Sequence, residues 1–110
     1  MRARFIHDGN AIDHTPSSDV AAGDVVAFED LVGIAKLDIA AGALGALAVS
    51  GVFDVAKDTG GGTSIPMGAL VYWNPSAQQA STDSSGSVLL GKAVQAAGED
   101  DATVRVRLSQ

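Results

Sequence analysis

Two histidines and two aspartates near the start of the chain are the side chains best suited to bind a metal. His7 and Asp8 are adjacent, and Asp13 and His14 follow a few residues later. A zinc site needs ligands that converge on one point and outer groups that orient them, and no His-x-His or His-x3-His spacing occurs here. The pattern favours two surface histidines beside solvated carboxylates, so no metal site is predicted.

A glycine-rich segment is the second candidate, because glycine loops can hold phosphate groups. It reads Gly60-Gly61-Gly62-Thr63-Ser64. A P-loop needs a lysine before its Ser or Thr, and a dinucleotide fingerprint needs spaced glycines that open a helix. Neither pattern is present. Residues 57–64 are therefore predicted to form a flexible polar loop, and no cofactor is expected.

Catalytic patterns are absent as well. The paired carboxylates Asp100 and Asp101 fall in a predicted turn, where such groups are usually solvated. No Gly-x-Ser-x-Gly elbow accompanies the serines, and neither histidine has an evident partner serine. The chain has no cysteine to act as a nucleophile. No catalytic residue is predicted, and the protein is not expected to be an enzyme.

All four arginines lie at the ends of the chain, Arg2 and Arg4 at the start and Arg105 and Arg107 near the finish. A spacing of two places each pair on one face of a strand. If the two terminal strands are neighbours, they form a basic stripe that could contact a partner. The alternative is a solvated outer face, balanced by nearby carboxylates.

Composition narrows the class of protein. The 110 residues carry a net charge of −6, with 13 glycines and 5% aromatic residues. The length predicts a single domain over residues 1–110, and a core of small residues would gain from oligomerisation. An acidic surface repels phosphate backbones, so no nucleic-acid partner is expected. No apolar run approaches the ~20 residues of a membrane span, and the N-terminus lacks the apolar region of a signal peptide.

A short phrase occurs three times and indicates how the chain turns. Each copy has an aliphatic residue, two spacers, a glycine, a small residue and a further aliphatic residue, as in the segments 20–26, 39–44 and 65–71. Glycine adopts a positive φ without a Cβ clash, so the phrase predicts tight turns that feed strands. The unequal intervals between copies argue against a solenoid or propeller.

Period-two patterns predict the strands, most clearly in the segments 47–55 and 103–108. Gly51 within the first of these suggests a bulge. We expect Trp73 to be packed in the core and Tyr72 to be peripheral. The remaining predicted strands are residues 2–6, 11–15, 24–28, 31–37, 70–73 and 88–97. These patterns predict an all-β fold, a small single-domain β-barrel or β-sandwich of short strands with glycine turns.

Eight segments, which together run over nearly the whole chain, match a known protein family in order and spacing: 12–16, 20–26, 32–35, 39–42, 51–55, 71–73, 90–93 and 104–108. In these segments the sequence resembles the small capsid decoration, or cement, proteins of tailed bacteriophages and their prophages. The resemblance implies a β-rich protein that forms homotrimers on the outside of a phage head and clamps neighbouring major capsid subunits.

The resemblance carries no catalytic residues, but it indicates the N-terminal segment, residues 1–15, as a capsid-contacting arm. With the arginine pattern, it suggests Arg2 and Arg4 as capsid contacts. Such a protein would be made in the cytoplasm of the bacterial host and reside on the virion. The alternative is a generic β-barrel binding module for carbohydrate or peptide, which would need an exposed aromatic platform or groove.

Overall fold

The computed structural model describes residues 2–110, and every regular element in that range is a β-strand. A four-stranded antiparallel sheet has the order β1-β4-β3-β2, and a five-stranded antiparallel sheet has the order β5-β9-β8-β6-β7. The strands are β1 (Ala11–His14), β2 (Val25–Phe28), β3 (Leu31–Ala35), β4 (Gly45–Ala48), β5 (Val52–Ala56), β6 (Leu70–Asn74), β7 (Gln79–Ser81), β8 (Val88–Ala93) and β9 (Thr103–Leu108). The all-β prediction is confirmed, and the two sheets form a sandwich-like domain rather than a closed barrel.

The core joins the two sheets. On β9 every second residue is buried, as the strict alternation of the sequence predicts. Val32 and Ile34 of β3 belong to the same buried cluster as Trp73 and the inward residues of β9. Trp73 is buried and Tyr72 is half-buried, as expected. A smaller cluster lies on the other face of the first sheet, around Leu47.

The three predicted glycine turns are present. Gly23, Gly42 and Gly68 have φ angles of 93°, 78° and 87°. A residue with a Cβ is strained in this region, so the recurring phrase marks positions where the backbone requires glycine.

The two sheets repeat one arrangement of strands, so that β1, β4, β3 and β2 correspond to β5, β9, β8 and β6. The same hydrogen bonds occur in both. Gly23 N donates to Ala35 O at 2.6 Å, and Gly68 N donates to Ala93 O at 2.7 Å. We call residues 10–49 the first half and residues 51–109 the second half.

The correspondence extends to individual residues. Ile12 pairs with Leu47, which also pairs with Ala35. In the second half, Phe53 pairs with Val106, which also pairs with Ala93. An antiparallel bridge likewise joins the segments that fold over each sheet, Val20 with Ile39 and Ile65 with Ala97.

Two predictions about strands are wrong, and one strand was missed. Residues 2–6 form no strand, because no neighbouring strand pairs with them in the described chain. The segment 47–55 is not one strand: β4 and β5 belong to different sheets, and Gly51, with φ 112°, lies where the chain crosses between them. Strand β7 lies in the polar stretch 78–87, where no strand was predicted, and its partner is β6.

Candidate interaction surface

The candidate metal ligands do not converge. Asp13 is exposed on β1, whereas His14 at the end of β1 is half-buried and packs edge-on against Phe28, with ring centroids 5.2 Å apart. His7 and Asp8 lie in the exposed segment before β1. Among residues 2–110 no three histidine, cysteine or acidic side chains form a group with metal-binding geometry. The contact that the structure shows for the His14 ring is therefore packing against Phe28, and the geometry of a metal ligand is not seen.

The glycine-rich loop is tied to the neighbouring turn. Gly60 N donates to Glu99 O at 2.9 Å, and Thr63 Oγ1 donates to Gly60 O at 2.7 Å. Lys57 at its start is 3% exposed, and its Nζ donates to Asp58 O at 2.6 Å. These bonds anchor the loop that the sequence suggested would be flexible. The glycines therefore belong to a compact loop. The side chain of Lys57, which precedes them, donates hydrogen bonds to Asp58 O and Thr63 Oγ1.

The basic stripe predicted from the four arginines does not form. Arg105 lies on β9, in the middle of the second sheet, and donates two hydrogen bonds to Asp54 of β5 at 2.9 and 3.1 Å. These hydrogen bonds and the guanidinium charge lower the pKa of Asp54. Arg2 and Arg4 are exposed in the segment before β1, which forms no strand, and the strands paired with β9 are β5 and β8.

The exposed segment before β1 is called here the arm (residues 2–10); Ala11–His14, which the sequence included in a longer arm, form β1 instead. The side chains of Phe5 and Ile6 are 77% and 68% exposed. Residues 2–6 make no backbone hydrogen bond within the described chain. The arm thus exposes two arginines and two large apolar side chains side by side on a protein of net charge −6.

A groove runs along the outer edge of β2, called here the β2 groove, with a volume of about 470 Å³. One wall is the edge of β2, the other is the segment after β1, and the β6–β7 hairpin contributes Trp73. The lining residues are His14, Pro16, Ser17, Ser18, Asp19, Val20, Asp24, Val25, Val26, Ala27, Trp73, Pro75 and Gln78. Sequence reasoning missed this groove, because it depends on which strand lies at the sheet edge.

The structure defines a β-sandwich protein with an exposed segment before its first strand and an open sheet edge at β2. The chain belongs to the phage cement protein family: the family model described as "Phage cement protein" matches residues 6–108. Arg2 and Arg4 precede the matched residues. The resemblance noted from the sequence is thereby confirmed, and it assigns the protein to capsid decoration in the virion.

Searches of curated proteins and of solved structures find no match to the chain. No helix in residues 2–110 has the length and apolar character needed to cross a membrane.

Proposed function

We propose that this protein is a non-enzymatic cement protein that binds the outer surface of a phage head and stabilises contacts between major capsid subunits. Membership of the cement family is the observation that carries the proposal. The arm supports it, because exposed Phe5 and Ile6 beside two arginines suit a contact with another protein. The protein would be made in the cytoplasm of the bacterial host and assemble on the head as a homotrimer.

The contact residues in this proposal are Arg2 and Arg4, which meet acidic groups of the major capsid protein. An acidic chain approaches a surface more easily through a local basic segment. Exposed ion pairs are worth only about 0.2–1 kcal/mol each, but repetition over the copies of an oligomer adds avidity. Screening over a Debye length of about 8 Å at physiological salt makes such binding weaken as salt rises.

Electron microscopy of heads purified with and without the protein tests the main proposal. We expect added density on the outside of decorated heads, clustered at three-fold positions, and a higher temperature of head disruption. Decorated and undecorated heads of equal stability would contradict the stabilising role. A protein that sediments as a monomer at high concentration, and forms no three-fold clusters on heads, would contradict the trimer.

The arm contact is tested with Arg2→Ala/Arg4→Ala and a matched control. Lys92→Ala/Arg107→Ala removes the same charge from two exposed residues that pair on the outer face of the second sheet. We expect the arm variant to decorate heads less, with a weaker salt dependence, and the control to behave as wild type. Equal occupancy of all three proteins across a salt series would overturn the arm contact.

A further inference from the structure

The two halves pack against each other through one face of the first sheet, the face opposite the smaller core cluster. One row across this face consists, from β1 to β2, of Ala11, Ala48, Ile34 and Val25. Ile34 is buried in the core cluster that also contains Trp73, and Val25 packs against this cluster. Val25 and Ile34 line one side of a crevice between the halves, and Phe53, Asp54 and Trp73 line the other side. This row therefore covers one end of the second half.

The corresponding row of the second sheet is exposed. From β5 to β6 it consists of Val52, Arg107, Lys92 and Leu70, and it is called here the second-half row. Lys92 is the counterpart of Ile34, and Leu70 is the counterpart of Val25, because each pairs as its counterpart does. The side chains of Val52 and Leu70 are 55% and 45% exposed. The face that is covered in the first half is thus uncovered in the second half.

The charges of the second-half row are not neutralised within the chain. Lys92 and Arg107 face each other on neighbouring strands, where like charges repel. Within residues 2–110 the ion pair is that of Arg105 with Asp54, and neither Lys92 nor Arg107 takes part in one. The row therefore presents two cations between two exposed apolar side chains. Its complement is a surface with exposed apolar side chains and carboxylates.

Phe28 marks a matching surface on the first half. It is the counterpart of Trp73, because Val26 and Val71, two residues earlier, pair with the corresponding glycines of β3 and β8. Trp73 is 4% exposed, whereas Phe28 is 38% exposed. The first half therefore has an uncovered end that corresponds to the covered end of the second half. It is called here the open end.

Carboxylates surround the open end. Asp13, the counterpart of Asp54, is exposed and forms no ion pair in the described part of the chain. Glu29 and Asp30 are exposed as well, and they follow Phe28 directly in the turn between β2 and β3. The open end thus combines an exposed aromatic ring with three carboxylates, which complements the second-half row in charge and polarity.

We propose that the second-half row of one copy of this chain packs over the open end of a second copy, in the way that the two halves pack within one chain. Leu70 then lies beside Phe28 of the next copy, and Lys92 lies beside its Asp13. Apolar contact holds the two surfaces together, while the opposite charges steer them and exclude wrong partners.

The contact joins unlike surfaces, the second half of one copy and the first half of the next. Such head-to-tail contacts close into rings when the rotation between copies allows it. A ring of three copies agrees with the homotrimer of the proposed function, and only this ring size rests on that proposal. The arm takes no part in the contact, so Arg2 and Arg4 stay available to the capsid.

Reversal of one charge pair tests the contact. Lys92→Glu places like charges beside Asp13, and we expect self-association in sedimentation to weaken by at least about tenfold. The new glutamate faces Arg107 within the chain, so the fold is retained. Asp13→Lys should weaken association as well, and Asp13→Lys/Lys92→Glu should restore it to within a few-fold of wild type. Unchanged association in both single variants, or no recovery in the double variant, would overturn the proposal.

Neutral substitutions should have a smaller effect than reversal. Lys92→Ala/Arg107→Ala removes the attraction to the carboxylates together with the repulsion between the two cations, and it leaves the contact of Leu70 with Phe28 in place. Exposed ion pairs contribute little to affinity. We therefore expect this variant to associate within a few-fold of wild type and to occupy heads normally.

A disulfide between copies locates the contact directly. The natural chain has no cysteine, so one copy with Leu70→Cys is mixed with another that carries Phe28→Cys. Their counterparts, Val25 and Trp73, line the same crevice between the halves. We expect a crosslinked dimer in solution or on decorated heads. No crosslink is expected when Leu44→Cys, at a position that is 71% exposed just before β4, replaces Phe28→Cys.

The crosslink separates this inference from the proposed function. Heads decorated normally, with no crosslink on them or in solution, would overturn the contact between copies and leave the cement function intact. A crosslink in a protein that does not bind heads would support the contact and contradict the function. A crosslink that forms only when both cysteines are in one chain would place the two surfaces together within a single copy, and would also overturn the proposal.

Discussion

Asp19 and Asp38 occupy corresponding positions in two copies of one turn, and each carboxylate accepts a hydrogen bond from the backbone of the other turn. Ala41 N donates to Asp19 Oδ1 at 2.9 Å, and Ala22 N donates to Asp38 Oδ1 at 2.8 Å. The bridge between Val20 and Ile39 lies between these two bonds. The paired turns thus close the smaller core cluster from outside, because Val20 and Ile39 pack against Leu47.

This reciprocal arrangement predicts that Asp19→Ala and Asp38→Ala each lower the free energy of unfolding by about 1 kcal/mol, since each leaves an amide without its acceptor. Urea denaturation would measure the change. Asp100→Ala is the control, because this exposed carboxylate accepts no hydrogen bond in the described chain. If all three variants unfold at the wild-type urea concentration, the crossed hydrogen bonds contribute nothing to stability.

The ion pair between Asp54 and Arg105 predicts a dependence on pH. The pKa of Asp54 is lowered from its ordinary value of 3.8 by hydrogen bonds from Arg105. A lowered pKa in the folded state means that the pair stabilises the protein above pH 3.8, and that this contribution is lost as the pH falls through the folded pKa. Asp54→Asn should therefore be slightly less stable than wild type at pH 7, and the difference should vanish at low pH.

The matched control is Asp13→Asn. Asp13 is the counterpart of Asp54 in the first half, but its cross-strand partner is Ala46 instead of an arginine. Both aspartates are exposed, so the effect on Asp54 should be small and should diminish at high salt. A pH-independent difference between Asp54→Asn and wild type would contradict the role assigned to the ion pair.

Substitution in the smaller core cluster is expected to lower the free energy of unfolding more than loss of the ion pair does. Leu47 is 0% exposed at its centre, so Leu47→Ala should cost about 2–5 kcal/mol through lost burial and the cavity left behind. Leu44→Ala removes the same atoms from a side chain that is 71% exposed, and should change stability by less than about 0.5 kcal/mol. Similar losses in the two variants, measured by urea denaturation, would show that the first half depends little on this cluster.

How far the sequence predicts the structure depends on the range of the interaction. Gly23 and Gly68 were identifiable because a positive φ is a local requirement. Strand β7 was not, because Ala80 is held by Trp73 and Lys57 from distant parts of the chain. Gly51 was noticed as an irregularity, but only the sheet topology shows that the chain changes sheets there.

The candidate surface shows the same limit. The positive charge of the arm was evident from Arg2 and Arg4, whereas its exposure was not, and the groove beside β2 required the strand order. The three copies of the glycine phrase did contain the relevant signal. Two of them, around Gly23 and Gly68, begin corresponding hairpins, but the duplication is recognisable only when the hydrogen bonds of the two halves are compared.

Gly91 provides the sharpest test of the close approach between β8 and β9. A Cβ at this position would lie 1.9 Å from the backbone oxygen of Arg107, and neither strand can move without breaking the central ladder of the second sheet. Gly91→Ala should therefore destabilise the protein by about 3 kcal/mol or more. Losses of this size arise from only a few mechanisms, and overpacking of the core is one of them.

Gly61→Ala is the control for Gly91→Ala, because a Cβ at Gly61 would meet open space and its φ is not positive. That variant should be neutral or stabilised by about 0.4–1 kcal/mol, since alanine restricts the unfolded chain. Thermal unfolding followed by circular dichroism would separate the two. If Gly91→Ala unfolds at the same temperature as Gly61→Ala, β8 and β9 are not packed as closely as described.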